Sequence, residues 1–113
     1  MGLFDMFKGG GSAAADEISH ADLAAAMQQK ACALFDVREP NEFSASHVEG
    51  AKNMPLSRFD PGQLPKDKPV ILICRSGARS ASALSKARGA GRADVRHYRG
   101  GVMGWAQSGG KLV

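Results

Sequence analysis

Apolar positions along this chain fall into short runs, separated by Gly, Pro and charged turns, and the runs alternate between strand-like and helix-like spacing. Glu17-Ile18 reads as a short strand, after which Ser19 caps a helix from His20 to about Gln29 with Leu23, Ala24 and Met27 on one face. Cys32-Ala33-Leu34-Phe35-Asp36-Val37 has the apolar density of a buried strand and is closed by the charged turn Arg38-Glu39-Pro40. Pro40 can open a short helix through Phe43, because its fixed φ suits the first helical position. Gly50-Ala51-Lys52-Asn53-Met54 reads as a weaker strand stopped by Pro55, and a turn-rich segment with Pro61-Gly62 and Pro65 follows. Val70-Ile71-Leu72-Ile73 is the strongest strand of the chain. A Gly/Ser/Arg loop then leads to a helix from Ser80 to about Arg88, ended by Gly89-Ala90-Gly91. Val95-Arg96-His97-Tyr98 is a last short strand, followed by Gly100-Gly101 and a helical turn around Trp105.

Strands alternating with helices predict an α/β fold with a central parallel sheet, here of about five strands, flanked by helices. No internal repeat is visible. Gly9-Gly10-Gly11-Ser12-Ala13-Ala14-Ala15 has the composition of a flexible linker, which divides an N-terminal segment over residues 1–15 from a domain over 16–113. Leu3, Phe4, Met6 and Phe7 are apolar enough to dock onto the domain or a partner, and terminal disorder is the competing expectation.

Composition narrows the class. A chain of 113 residues, 43% hydrophobic with mean hydropathy -0.23, has room for one domain with a modest core. No apolar run approaches the roughly 18–20 residues that cross a membrane, so no membrane partner is expected. The first residues lack the basic start and apolar run of a secretory signal, and Met6 stands where a myristoylation motif needs Ser or Thr. Two cysteines without an export signal point to a reducing, cytoplasmic compartment and free thiols. The formal charge of +4 is uneven: eight basic residues against Asp94 alone from Arg75 onward, seven basic against ten acidic before it. A basic half favours anionic ligands. It lacks the aromatic interleaving of a nucleic-acid surface, so nucleic acid is not an expected partner, and beyond Arg88 the expectation is a solvated basic face.

Cys74 concentrates the chemistry. It ends the most apolar strand, and ligands of parallel α/β sheets gather at the carboxyl ends of strands. The loop Arg75-Ser76-Gly77-Ala78-Arg79-Ser80 that follows is poor in core formers. A strand–loop–helix joint aims unpaired backbone N–H groups at one point, and such a point lowers the pKa of a thiol. Cys32, among Ala and Leu at the start of a strand, reads instead as a small buried hydrophobe. Two chemistries place a thiolate in an anion cradle. Phosphate-ester hydrolysis uses the longer Cys-x5-Arg loop, whereas sulfur transfer uses a tighter one. Cys74 to Arg79 is Cys-x4-Arg, one residue short of the phosphatase loop.

From Ile18 to Trp105 the sequence resembles the rhodanese-like family, through Asp36-Val37-Arg38-Glu39-Pro40-Asn41-Glu42-Phe43, His47-Val48-Glu49-Gly50-Ala51, Cys74-Arg75-Ser76-Gly77-Ala78-Arg79-Ser80 and Gly100-Gly101-Val102-Met103-Gly104-Trp105. The resemblance implies a single-domain sulfurtransferase in which Cys74 attacks thiosulfate or a related small anionic donor, carries a persulfide, and passes the sulfur to a thiol or cyanide. Arg75, Ser76, Gly77, Ala78, Arg79 and Ser80 would bind the substrate, chiefly through backbone N–H groups, with the arginines attracting the dianion. No cofactor is implied, and His20, His47 and His97 show no metal-ligand spacing. Two alternatives stay open: a non-enzymatic binding or regulatory module, and a persulfide relay with a protein donor or acceptor. The remaining motifs read as architecture. Asp36 and Arg38 fix the turn at the strand end, His47 satisfies a local hydrogen bond, Trp105 and Met103 cover the core, and Gly100-Gly101 make a tight turn near the active edge. The segment Lys86-Ala87-Arg88-Gly89-Ala90-Gly91-Arg92 departs from the family pattern and removes apolar burial after the Cys74 helix.

Overall fold

A computed structural model of the chain describes residues 16–113; the expected N-terminal segment and linker, residues 1–15, lie outside the described residues. The apolar runs become β1 (Ala33–Asp36), β2 (Lys52–Asn53), β3 (Val70–Ile73) and β4 (Val95–His97), all parallel in the order β2-β1-β3-β4. Leu34 lies beside Ile71 and Ile71 beside Arg96, so β1 and β3, the most apolar strands, take the centre. The sheet has four strands, not about five. Glu17 makes a single parallel bridge to His97, with the Ile18 N–H donating to the His97 carbonyl at 3.1 Å. The strand cannot lengthen, because Ser19 already turns the chain: its side chain accepts the Asp22 N–H at 3.1 Å and caps the next helix.

That helix, α1 (His20–Gln28), buries Leu23 and Ala26. Next, α2 (Pro40–Ala45) begins with a capping box in which Glu39 and Glu42 each accept the other's backbone N–H, and it runs past the expected Phe43. Two 3-10 turns, Leu56–Arg58 and Pro61–Gln63, occupy the turn-rich segment. Then come α3 (Ala78–Gly89) and α4 (Gly101–Gln107). Apolar residues cover both faces of the sheet. Ile71 and Ile73 pack with Leu23, Val102 and Trp105 on one face, while Val70, Leu72 and Cys74 pack with Ala83, Leu84 and Ala87 of α3 on the other. Among the described residues no helix is long and apolar enough to cross a membrane.

Two expectations need correction. Trp105 is buried, but Met103 is 43% exposed and does not cover the core, because its neighbour Val102 takes the inward position of α4. The basic residues after Arg88 are also not simply a solvated face. The Arg92 guanidinium donates to the carbonyls of Leu64 at 3.0 Å and Pro65 at 2.6 Å, besides pairing with Asp94 at 2.7 Å. Arg88 donates to the Val95 carbonyl at 2.9 Å. Charge-assisted bonds to carbonyls thus hold the segment whose apolar content is low.

Candidate active site

Strand periodicity sets the direction of the cysteine. Side chains of β3 alternate between faces, so Cys74, two residues beyond Leu72, faces α3. Immediately after it the chain is pinned from below: the Val102 N–H donates to the Cys74 carbonyl at 2.8 Å and the Met103 N–H to the Arg75 carbonyl at 3.2 Å. This close approach needs glycine at two points. Gly101, at φ 70°, lies where a Cβ would overlap the Arg75 carbonyl. Gly77, at φ 105°, lies where a Cβ would meet the Arg99 carbonyl oxygen at 2.5 Å. The Gly100-Gly101 turn therefore presses the cysteine loop into shape.

Gly77 is also where α3 starts. The helix opens at Ala78, two residues before the expected Ser80, so Arg79 and Ser80 occupy its first turn and not the loop. Amides at a helix start have no partner within the helix, and here the N-cap amide of Gly77 and its neighbours point at the sulfur. The Gly77 N–H donates to Cys74 Sγ at 3.1 Å, and Ser80 Oγ lies 3.5 Å from it. Burial pushes the Cys74 thiol up, but the Ser80 hydroxyl and the amides of Ser80, Gly77 and Ser76 outweigh it and leave the thiol below its ordinary pKa. Cys32 shows the opposite balance: burial pushes it up to about 11, with Lys68 opposing weakly. Cys74 itself is 1% exposed, whereas Arg75, Ser76 and Ala78 are exposed, so the loop and not the sulfur forms the surface.

Arg75 of the loop and Arg79 of the helix part company. Arg79 makes a bidentate pair with Glu42 at 2.6 and 3.0 Å, which ties α3 to α2. The Arg79 hydrogen bond holds the Glu42 carboxyl at about 2, well below its ordinary 4.5. Arg75 reaches out over α4, its Nε 3.3 Å from Met103 Sδ, with no carboxylate partner among the described residues. It is the cation left at the rim.

Three residues around the site escaped the sequence reading. Glu42 lies 37 positions from Arg79, and nothing in the pattern couples them. Met103 stands beside Arg75. His97, set aside for want of metal spacing, is 6% exposed and places Nδ1 2.9 Å from Ser80 Oγ. Its signal was positional: it ends the strand beside β3, as Cys74 directly follows β3 itself. Asp36, Arg38 and His47 make local contacts of the kind expected. The Arg38 Nε donates to both carboxylate oxygens of buried Asp36 at 3.0 Å, and Asn53 Nδ2 donates to the Asp36 and Arg38 carbonyls at 2.9 Å. His47 Nδ1 donates to the Phe43 carbonyl at 2.8 Å. Among the described residues no group of three or more His, Cys, Asp or Glu side chains could hold a metal ion.

Known proteins share this fold. A family model described as rhodanese-like domain matches residues 19–108. An uncharacterized protein of Synechocystis sp. is 45% identical over 84 residues, 73% of this chain, and the chain spans only about half of that relative's length, 47%. Thiosulfate sulfurtransferase GlpE of Tolumonas auensis is 34% identical over 91 residues, covering 78% of this chain and 85% of its own. The crystal structure of a rhodanese-related protein from Thermoplasma volcanium superposes with a TM-score of 0.77 at 32% identity, over 87% of this chain and 97% of that one. With a four-stranded parallel sheet, a cysteine cradled at a helix start and a family match over most of its length, this chain belongs to the rhodanese-like domain family.

Proposed function

We propose that the protein is a sulfurtransferase in which Cys74 carries sulfane sulfur between a small anionic donor such as thiosulfate and a thiol or cyanide acceptor. The observation that carries this reading is the set of donors on one buried sulfur: the Gly77 amide at 3.1 Å and the Ser80 hydroxyl at 3.5 Å, at the start of a 12-residue helix. Such a cradle holds a thiolate without a separate base. The name of the Tolumonas auensis relative is consistent with the same chemistry.

In the first step the Cys74 thiolate attacks the outer sulfur of thiosulfate. A Cys74–S bond forms, the S–S bond of thiosulfate breaks, and sulfite leaves with the electron pair. The negative charge then sits on the outer persulfide sulfur, where the loop amides from Arg75 to Ser80 stabilise it. In the second step a thiolate or cyanide attacks that outer sulfur, and Cys74 leaves as the thiolate it began as. Splitting the transfer in two predicts ping-pong kinetics. Arg75 supplies the unpaired positive charge that draws the dianion to the rim. Arg79 keeps its place through Glu42 and adds to the field at the sulfur, while Ser76, Gly77, Ala78 and Ser80 shape the cradle.

The experiment is intact-mass measurement after exposure to thiosulfate, a small-molecule persulfide or a persulfidated protein, followed by a thiol. The expected result is a gain of one sulfur that the thiol reverses and Cys74→Ser abolishes, with thiocyanate formed when cyanide replaces the thiol. Uptake from the protein donor alone would make the chain a persulfide relay. No uptake from any donor would overturn the enzymatic reading in favour of a binding module.

A further inference from the structure

Among the described residues Ser80 is the one side chain that hydrogen-bonds to the nucleophile, and its hydroxyl has a single proton to give. Three groups surround its oxygen: Cys74 Sγ at 3.5 Å, the Gly77 carbonyl oxygen at 3.2 Å and His97 Nδ1 at 2.9 Å. A thiolate and a carbonyl only accept. The imidazole is therefore the sole neighbour that can donate to the hydroxyl oxygen, and it makes the shortest contact. With a bare Nδ1, the ring would take the serine proton for itself. With a protonated Nδ1, the proton is left to the Gly77 carbonyl and the sulfur, of which the sulfur anion is the stronger acceptor.

Backbone geometry places the ring there. His97 ends β4, paired with Leu72 of β3 on one side and bridged to Glu17 on the other. The period of two turns His97 to the same face as Val95, which packs with Leu84 and Ala87 of α3, and Ser80 begins the buried stripe of that helix. Both Ser80 and His97 are buried, at 0% and 6% exposure.

We infer that His97 is a positioning residue for Cys74: its Nδ1–H donates to Ser80 Oγ and so turns the Ser80 proton toward the sulfur anion. The inference deepens the sulfur-transfer reading and rests on it for its catalytic meaning, although the hydrogen-bond chain is testable at the cysteine itself. Burial holds the imidazole below its ordinary pKa, with Glu17 and Asp16 before α1 pulling the other way and Arg99 after β4 adding to the fall. At neutral pH the ring then has one proton, and Ser80 Oγ offers an acceptor at Nδ1. A neutral histidine thus gives the sulfur its hydroxyl donor only in the tautomer that carries the proton on Nδ1.

The test is the pH profile of Cys74 alkylation by iodoacetamide, read at peptide level in the full chain. His97→Leu is expected to raise the apparent pKa of Cys74 and slow its alkylation at neutral pH roughly tenfold, the worth of one hydrogen bond to a charged group. His97→Asn, which keeps an N–H near the Nδ1 position, is expected to recover most of the loss, and His97→Gln, whose amide extends toward the other ring nitrogen, is not. In a Ser80→Ala background none of the three should shift the profile further. An unchanged profile in His97→Leu, or an effect that survives in Ser80→Ala, overturns the inference. Should the leucine variant fail to melt cooperatively, the Asn–Gln difference decides, and equal profiles for those two overturn it. A normal titration with no sulfur uptake in the wild-type protein would sink the sulfur-transfer reading alone.

Discussion

Two buried cysteines in one small domain meet opposite fates, and the difference is the company each sulfur keeps. Cys32 lies against the Met27 sulfur at 3.7 Å, and burial pushes its thiol up to about 11. Cys74 is the more deeply buried, yet amides and a hydroxyl hold it below the ordinary value. Burial alone cannot predict reactivity; donors to the anion decide it. Near neutral pH, iodoacetamide is therefore expected to label Cys74 and leave Cys32 unmodified until the pH approaches 11, as peptide mass analysis would show. Because the Cys74 sulfur lies beneath its own loop, small reagents should outpace bulky maleimides by a wide margin. Labelling of Cys32 first would contradict the assignment.

Between elements, the controlling contact is the strap from α2 to the start of α3. Arg79 and Glu42 are each about one-third exposed, at 34% and 30%, so solvent screens their pair. With bidentate geometry it contributes about 0.5–1 kcal/mol. The carboxyl ordinarily titrates at 4.5 and is held at about 2 in the fold. A lowered pKa means the folded state binds its proton later than the unfolded chain. The contribution is thus complete above about pH 4.5 and is lost as the pH falls toward 2. Glu42→Gln is expected to lower stability at pH 7 by that amount and to flatten acid unfolding over this interval in a urea series. The same variant leaves Arg79 without its partner beside the cradle, so donor KM should respond more than the fold does.

For the whole molecule, the open question is how a sheet of four short strands holds together when its last helix-to-strand connection is poor in apolar residues. Both faces of β1 and β3 are covered, with Leu72, Ile71 and Ile73 fully buried at roughly 1.5–3 kcal/mol each. The connection after α3 is fastened differently. Arg92 bonds the Leu64 and Pro65 carbonyls and so joins it to the crossover before β3. Arg92→Leu is expected to destabilise the protein by about 1–3 kcal/mol, since two carbonyls lose a charged donor. It should leave the Cys74 alkylation profile unchanged, because the arginine touches neither the loop nor α3's first turn. Urea unfolding with alkylation on the same preparation checks both halves.

Local patterning determined a great deal. The apolar run Val70–Ile73, the Ser19 and Pro40 helix starts and the glycines at 77 and 101 specify strands, helix openings and left-handed turns through interactions a few residues long, so the parallel α/β fold and the place of Cys74 were legible. The expected fifth strand failed on a local competition, where the Ser19 cap took the chain before pairing could extend. Packing alone decided that Glu42 occupies Arg79, that Arg92 turns inward and that His97 reaches Ser80. Each of these joins residues far apart in the chain, and their partners are chosen by which strand lies beside which, a matter no periodicity of the chain encodes.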